Sequence, residues 1–168
     1  MTKPLQRDPA PNELIIERVF DAPRELVFKL WSEPQHTIRW MGPRDYPATS
    51  YEQDFRIGGE WRGCLTGGPE SHEPGGQLWQ GGKYLEIDPP GRIVFTFQWD
   101  DGPETTVTVN FTELDGKTHM HFHQTPFEDV SNRDGHVEGW GSSFDRLAEL
   151  AGSMTATVLN GTGGAQID

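Results

Sequence analysis

The sequence predicts an α+β fold in which one curved antiparallel sheet grips a single long C-terminal helix. Three observations carry this. Residues 46–124 read as six successive strand patterns, and the short turn signals between them imply antiparallel neighbours. Residues 131–151 carry one apolar stripe at i, i+3, i+4 steps. A single strand and a pair of short helices come first, so helices and strands are segregated rather than alternating.

Residues 1–12 hold three prolines and few apolar groups, and read as a flexible leader to a domain spanning 13–151. "ELIIERVF" (13–20) is β-branched and aromatic, the first strand. Asp21 can cap the next helix, with Pro23 near its first turn, where a missing N–H costs nothing. Leu26, Val27, Leu30 and Trp31 recur at helical spacing until Pro34, and "PQHTIRWM" suggests a second short helix. The six strands follow as "PATSYEQDFRI", "GEWRGCLT", "LWQGGKYLEID", "RIVFTFQW", "TTVTVNFTEL" and "THMHFHQ". Between the second and third lies a glycine- and proline-rich stretch, 67–76, read as a mobile hairpin loop. On the last helix Val137, Trp140, Phe144, Leu147 and Ala151 form the stripe; residues 152–168 lose the period and are expected to be a loosely ordered tail.

Composition narrows the function classes. Hydrophobic residues make up only 33%, yet six Trp and nine Phe supply large apolar area to a core, so the chain is expected to be globular. A net charge of −12 repels phosphate backbones and anionic bilayers, which argues against nucleic-acid and membrane partners. Cys64 is the only cysteine, so neither an intrachain disulfide nor a cysteine-based zinc cluster can form, and its strand setting suggests a structural thiol. The first residues lack an apolar run, so a cytoplasmic location is expected.

"THMHFHQTP" (118–126) sets His119, His121 and His123 at alternate positions, on one face of a strand. If Met120 and Phe122 face the helix, the three imidazoles face outward, with Thr106, Thr108 and Asn110 as polar neighbours. Alternate strand residues lie about 7 Å apart, so one ion with bonds of about 2 Å could take two adjacent rings but hardly three. No metal site and no cofactor are expected. His36, His72 and His136 are singletons with no nucleophile beside them, and Gly58-Gly59 lacks the strand–loop–helix setting of a phosphate cradle.

The motifs "ERVFDAPRELVFKLWSEPQHTIRWMGP", "DFRIGGEWRG", "GGKYLEIDPPGRIVFTFQW" and "GWGSSFDRL" resemble the bacterial family named after the activator of the 90-kDa heat-shock protein ATPase. That family sits in the START-like, Bet v 1-like (SRPBCC) superfamily, and the likeness covers roughly 14–151. It implies the helix-grip fold, with a cavity between helix and sheet. Superfamily members include lipid carriers, polyketide cyclases and resistance proteins. The eukaryotic activator uses a separate N-terminal domain to hold its chaperone, so a chaperone partner is not expected here; a homodimer is left open.

Periodicity supplies the candidate lining. Ile93, Phe95, Phe97 and Trp99 share one strand face; so do Val107, Val109 and Phe111, then Met120 and Phe122, and also Trp61 and Leu65. These faces fill either a solid core or the wall of a cavity, and the tryptophans favour a cavity. The candidate ligand wall is Trp40, Trp61, Leu65, Phe95, Phe97, Trp99, Val109, Phe122, Trp140, Gly141 and Phe144. Gly141 falls on the helical stripe, where it is merely tolerated, packs closely against a strand, or leaves room for a ligand. Asp54, Arg56, Tyr84 and Glu86 are candidate polar wall or rim groups, with a rim ion pair preferred over acid–base work; no catalytic residue is designated. The function expected is enclosure of a small hydrophobic or aromatic molecule. Alternatives are an enzyme of cyclase, dehydratase or hydrolase type, or a chaperone ATPase co-factor or stress-response interaction protein.

Overall fold

The computed structural model describes residues 9–160. Its elements are β1 (Leu14–Phe20), α1 (Arg24–Ser32), α2 (Pro34–Thr37), β2 (Ala48–Gln53), β3 (Glu60–Thr66), β4 (Gln77–Asp88), β5 (Arg92–Trp99), β6 (Thr105–Leu114), β7 (Lys117–Thr125) and α3 (Val130–Asn160). The strands form one antiparallel seven-stranded sheet in the order β1-β7-β6-β5-β4-β3-β2, the helix-grip arrangement. The first strand therefore pairs with the last, and β1 and β2 become the sheet's two edges.

Period-two patterning decides which face is covered. On β6 Val107, Val109 and Phe111 are buried, and on β7 Thr118, Met120, Phe122 and Gln124, while their neighbours stay partly open. Their centre is aromatic: the Trp31 ring lies 4.8 Å from Trp40, 6.2 Å from Phe144 and 6.4 Å from Phe122. The Leu30 carbonyl, in the last turn of α1, is an acceptor without a helical partner, and it accepts from both Thr37 Oγ1 and Trp40 Nε1 at 2.9 Å. Those two bonds turn the chain after α1 back against the core.

Three local expectations are corrected. The second helix is a single turn at 34–37, because the chain must bend for Trp40 to reach Leu30. The first strand of the meander ends at Gln53. Asp54–Gly59 is a turn in which Gly58 takes φ of 87° and a Cβ on Gly59 would strike the Asp54 carbonyl. The 67–76 stretch is the expected hairpin loop between β3 and β4, closed by Gly67 N–H to the Gly76 carbonyl and Gly75 N–H to the Gly67 carbonyl, both 2.8 Å. Finally, α3 continues through 152–160 where a loose tail was expected; 161–168, like leader residues 1–8, lie outside the described residues.

Candidate functional site

The helix α3 does not lie evenly across the sheet. It approaches β1 and α1 most closely, and polar straps hold it there. Arg18 on β1 donates to the Gly141 carbonyl at 3.1 Å and to Asp145 at 2.9 Å. Arg146 donates to the carbonyls of Met41 (3.0 Å), Gly42 (2.7 Å) and Arg39 (2.8 Å), fixing the loop after α2, and Arg44 pairs with Glu149. Held on the β1 side, the N-terminal half of α3 stands off from β3–β5.

The gap is a groove of about 560 Å³. Met41 and Tyr46 from the loop, Leu65 on β3, Leu78 and Gln80 on β4, Phe97 and Trp99 on β5, and His136, Gly139 and Trp140 on α3 all line it. Its surface is mainly apolar, with Asp45 and Glu138 exposed at its margin. Most of its polar groups are already engaged. Trp140 Nε1 donates to Gln124 Oε1 at 2.8 Å, Gln124 Nε2 to Thr105 Oγ1 at 2.9 Å, and Thr105 Oγ1 to the Phe97 carbonyl at 3.1 Å. Ser143 Oγ donates to the Gly139 carbonyl, and Ser142 Oγ accepts from Arg44 N–H.

Trp99 Nε1 donates to His136 Nε2 at 3.1 Å. Indole is only a donor, so this bond leaves the imidazole proton on Nδ1. The ring is also packed against Phe97 and Phe127, and burial pushes its pKa down to about 4. Near neutral pH His136 is therefore an uncharged donor on the groove wall.

The family model described as Activator of Hsp90 ATPase homolog 1-like protein matches residues 21–152. The chain belongs to that family. A crystal structure of a Chromobacterium violaceum protein is similar at 27% identity and a TM-score of 0.77, with 84% of this chain and 98% of that one covered. An AHSA1 protein from Silicibacter pomeroyi is similar at 28% identity and 0.72, covering 83% and 97%. An Arthrobacter aurescens protein solved by NMR, 23% identical with a TM-score of 0.75 over 88% and 90%, shares the fold. No curated protein matches the sequence.

In this Activator of Hsp90 ATPase homolog 1-like domain the eleven candidate wall residues fall in four different places. Leu65, Phe97, Trp99 and Trp140 line the groove. Trp40, Val109, Phe122 and Phe144 are fully buried in the solid aromatic core and reach neither the groove nor the smaller void beneath it. Trp61 and Phe95 border that void, with Trp31 and Tyr84; at about 10 Å³ it has room for about one water. Gly141 is a correction: a Cβ there would meet Arg18 Nη2 at 3.8 Å, on the β1 side, so it keeps no space for a ligand. Val137 is likewise 40% exposed, and His136 takes the inward position one turn before Trp140.

None of the four polar candidates lines the groove. Asp54 and Arg56 pair with each other at 2.8 Å in the exposed β2–β3 turn, and Glu86 pairs with Arg92 at 2.9 Å. Tyr84 is buried; it accepts from Gln53 Nε2 at 2.5 Å and lies 3.4 Å from the Tyr51 hydroxyl, and burial pushes both phenols up, holding them protonated. The histidine ladder faces outward as its alternation predicts, half-buried rather than open, because β1 lies beside it: His119 bonds Glu17 and His123 bonds Glu13, each at 2.8 Å. Thr112, Asn110 and Thr108 stand opposite the three histidines, one step along from the expected set. Among the described residues no group of three or more His, Cys, Asp or Glu side chains is placed to hold a metal ion, and no helix is long and apolar enough to cross a membrane.

Sequence reasoning missed Met41, Leu78, Gln80, His136 and Gly139. Two signals were present: Gln80 shares the period-two face of Leu78 and Tyr84, and His136 lies four residues before Trp140.

Proposed function

We propose that this chain binds a small hydrophobic or aromatic molecule in the groove between α3 and the β3–β5 end of the sheet. The observation that carries this reading is the groove itself. Its volume of about 560 Å³ falls within the range of roughly 300–1,000 Å³ usual for small-molecule sites. Flat apolar walls from Phe97, Trp99 and Trp140 suit a planar guest. Binding is preferred to catalysis because the carboxylates at the groove, Asp45 and Glu138, are exposed, so they lack the desolvation that would fit them for acid–base work. The cytoplasm is the compartment this reading assumes, in keeping with a lone buried thiol at Cys64.

The test is a titration with the neutral dye N-phenyl-1-naphthylamine, coupled to native mass spectrometry of the purified protein. Saturable uptake near one equivalent, displaced by whatever copurifies, is the expected result. Linear, non-saturating fluorescence with no copurified molecule would remove the binding reading.

A further inference from the structure

The groove wall holds a buried polar side chain that makes no hydrogen bond within the described residues. Gln80 is 2% exposed and lines the groove, yet among the described residues its carboxamide has no hydrogen-bond partner. Its amide atoms are not among the unpartnered polar atoms wholly shut off from solvent, so the little surface they keep opens onto the groove, where a guest could pair with them. The backbone does not explain it, because the β4 ladder sets Gln80 opposite Gly63 and Trp99 whatever its side chain. Leucine or methionine would fill the same volume without an idle polar group.

Gln80 also lies near a second donor without a partner, the Nδ1–H of His136, through their shared neighbour Trp99. Trp99, the cross-strand partner of Gln80, carries the indole N–H bound to His136. Residues directly opposite on antiparallel strands have Cβ atoms about 5 Å apart. Gln80, Trp99 and His136 are therefore consecutive along one wall. Nε2 of His136 is occupied, and its Nδ1–H has no partner among the described residues. The wall thus offers two N–H donors and one carbonyl acceptor around an aromatic face.

The charge of the guest follows from the rest of the lining. No Lys or Arg lines the groove among the described residues, and Arg44 at its edge is paired with Glu149. Asp45 and Glu138 sit at the margin of a chain of net charge −12. His72, an exposed imidazole, is the one basic side chain of the lining besides His136, so a carboxylate or phosphate would meet no permanent positive charge. A permanent cation would leave the Gln80 and His136 N–H donors facing a like charge with nothing to accept them.

We propose that the groove recognises a neutral planar ring bearing a carbonyl flanked by an N–H or O–H, as in a lactam, cyclic imide or hydroxyaryl ketone, with Gln80 and His136 as its polar anchors. The flanking donor and acceptor match the carboxamide edge of Gln80, a second acceptor position takes the His136 Nδ1–H, and the ring lies among Trp99, Phe97 and Trp140. This inference rests on the groove being the binding site.

The experiment is displacement of N-phenyl-1-naphthylamine by four bicyclic probes of matched size: 2-quinolinone, naphthalene, 2-naphthoate and N-methylquinolinium. Two added hydrogen bonds should make the parent protein bind 2-quinolinone about 10-fold tighter than naphthalene. Gln80→Leu should erase that preference and leave naphthalene binding unchanged or improved. Equal affinity for 2-quinolinone and naphthalene in the parent protein would overturn the anchor and leave the apolar groove standing, and that ratio needs no variant to fold. Tightest binding of the anion or the cation would overturn it too. If neither the dye nor any probe binds, the anchor and the binding reading fail together.

Discussion

Replacing Gly139 by leucine puts a four-carbon side chain on the groove-facing side of α3. A Cβ at Gly139 meets nothing within 4 Å, so the new side chain starts out into the open space of the groove. The helix gains about 0.8 kcal/mol of propensity over glycine. For a chain of this length that corresponds to a rise of about 2–3 °C in the thermal midpoint. Gly152 is the control, since a Cβ there also meets nothing within 4 Å but lies outside the groove. Both Gly139→Leu and Gly152→Ala should therefore raise the midpoint by a similar amount. Only Gly139→Leu should lower uptake of N-phenyl-1-naphthylamine in a fluorescence titration. Gly141→Leu, two residues on and so about 200° round the helix, should leave uptake intact while disturbing Arg18 and its 3.1 Å bond to the Gly141 carbonyl. A lowered midpoint for Gly139→Leu would mean that the helix seats on something solid there. Undiminished uptake would mean that the dye binds elsewhere.

Trp140→Phe keeps the ring but strands the buried Gln124 carbonyl, now 2.8 Å from the indole N–H, and should cost about 1–3 kcal/mol in urea unfolding. His136 has a pKa of about 4 in the folded protein against an ordinary 6.5, so the unfolded chain holds more protons between those values. The stability this neutral ring contributes is present above pH 6.5 and is lost as pH falls toward 4, by at most about 3 kcal/mol; His136→Phe should flatten that part of the stability–pH curve. Asp54→Asn and Glu86→Gln remove exposed ion pairs and should each shift stability by about 0–1 kcal/mol without changing dye uptake. Purified without an affinity tag, the protein should carry well under one equivalent of zinc, nickel or copper by elemental analysis, and stoichiometric metal lost in His121→Ala would contradict the expectation that the ladder holds no metal site.

Strand faces were legible in the sequence because period-two alternation depends only on local geometry. Phe95, Phe97, Val107, Val109, Met120 and Phe122 all turn inward as their spacing requires. Where the helix stands away from the sheet was not legible. That gap depends on Arg18 and Arg146, whose partners are carbonyls at Gly141, Met41, Gly42 and Arg39, and a side chain's bond to a distant carbonyl leaves no mark in composition or period. So Trp40 and Phe144, which look like a cavity wall, pack solidly against Trp31, while Met41 and Gly139 reach open space. Gly141 misled for the same reason: a helical wheel gives the direction of a residue but not which strand it meets. The wheel also favours Val137 over its neighbour, yet the helix is turned so that His136 enters and Val137 stays 40% exposed.

Intermolecular NOEs between unlabelled N-phenyl-1-naphthylamine and the isotope-labelled protein locate the guest directly. Contacts to the side chains of Leu65, Leu78, Trp99 and Trp140, which line the groove together, are the predicted result. Contacts confined to exposed apolar residues elsewhere, such as Val19 or Leu85, would contradict the account.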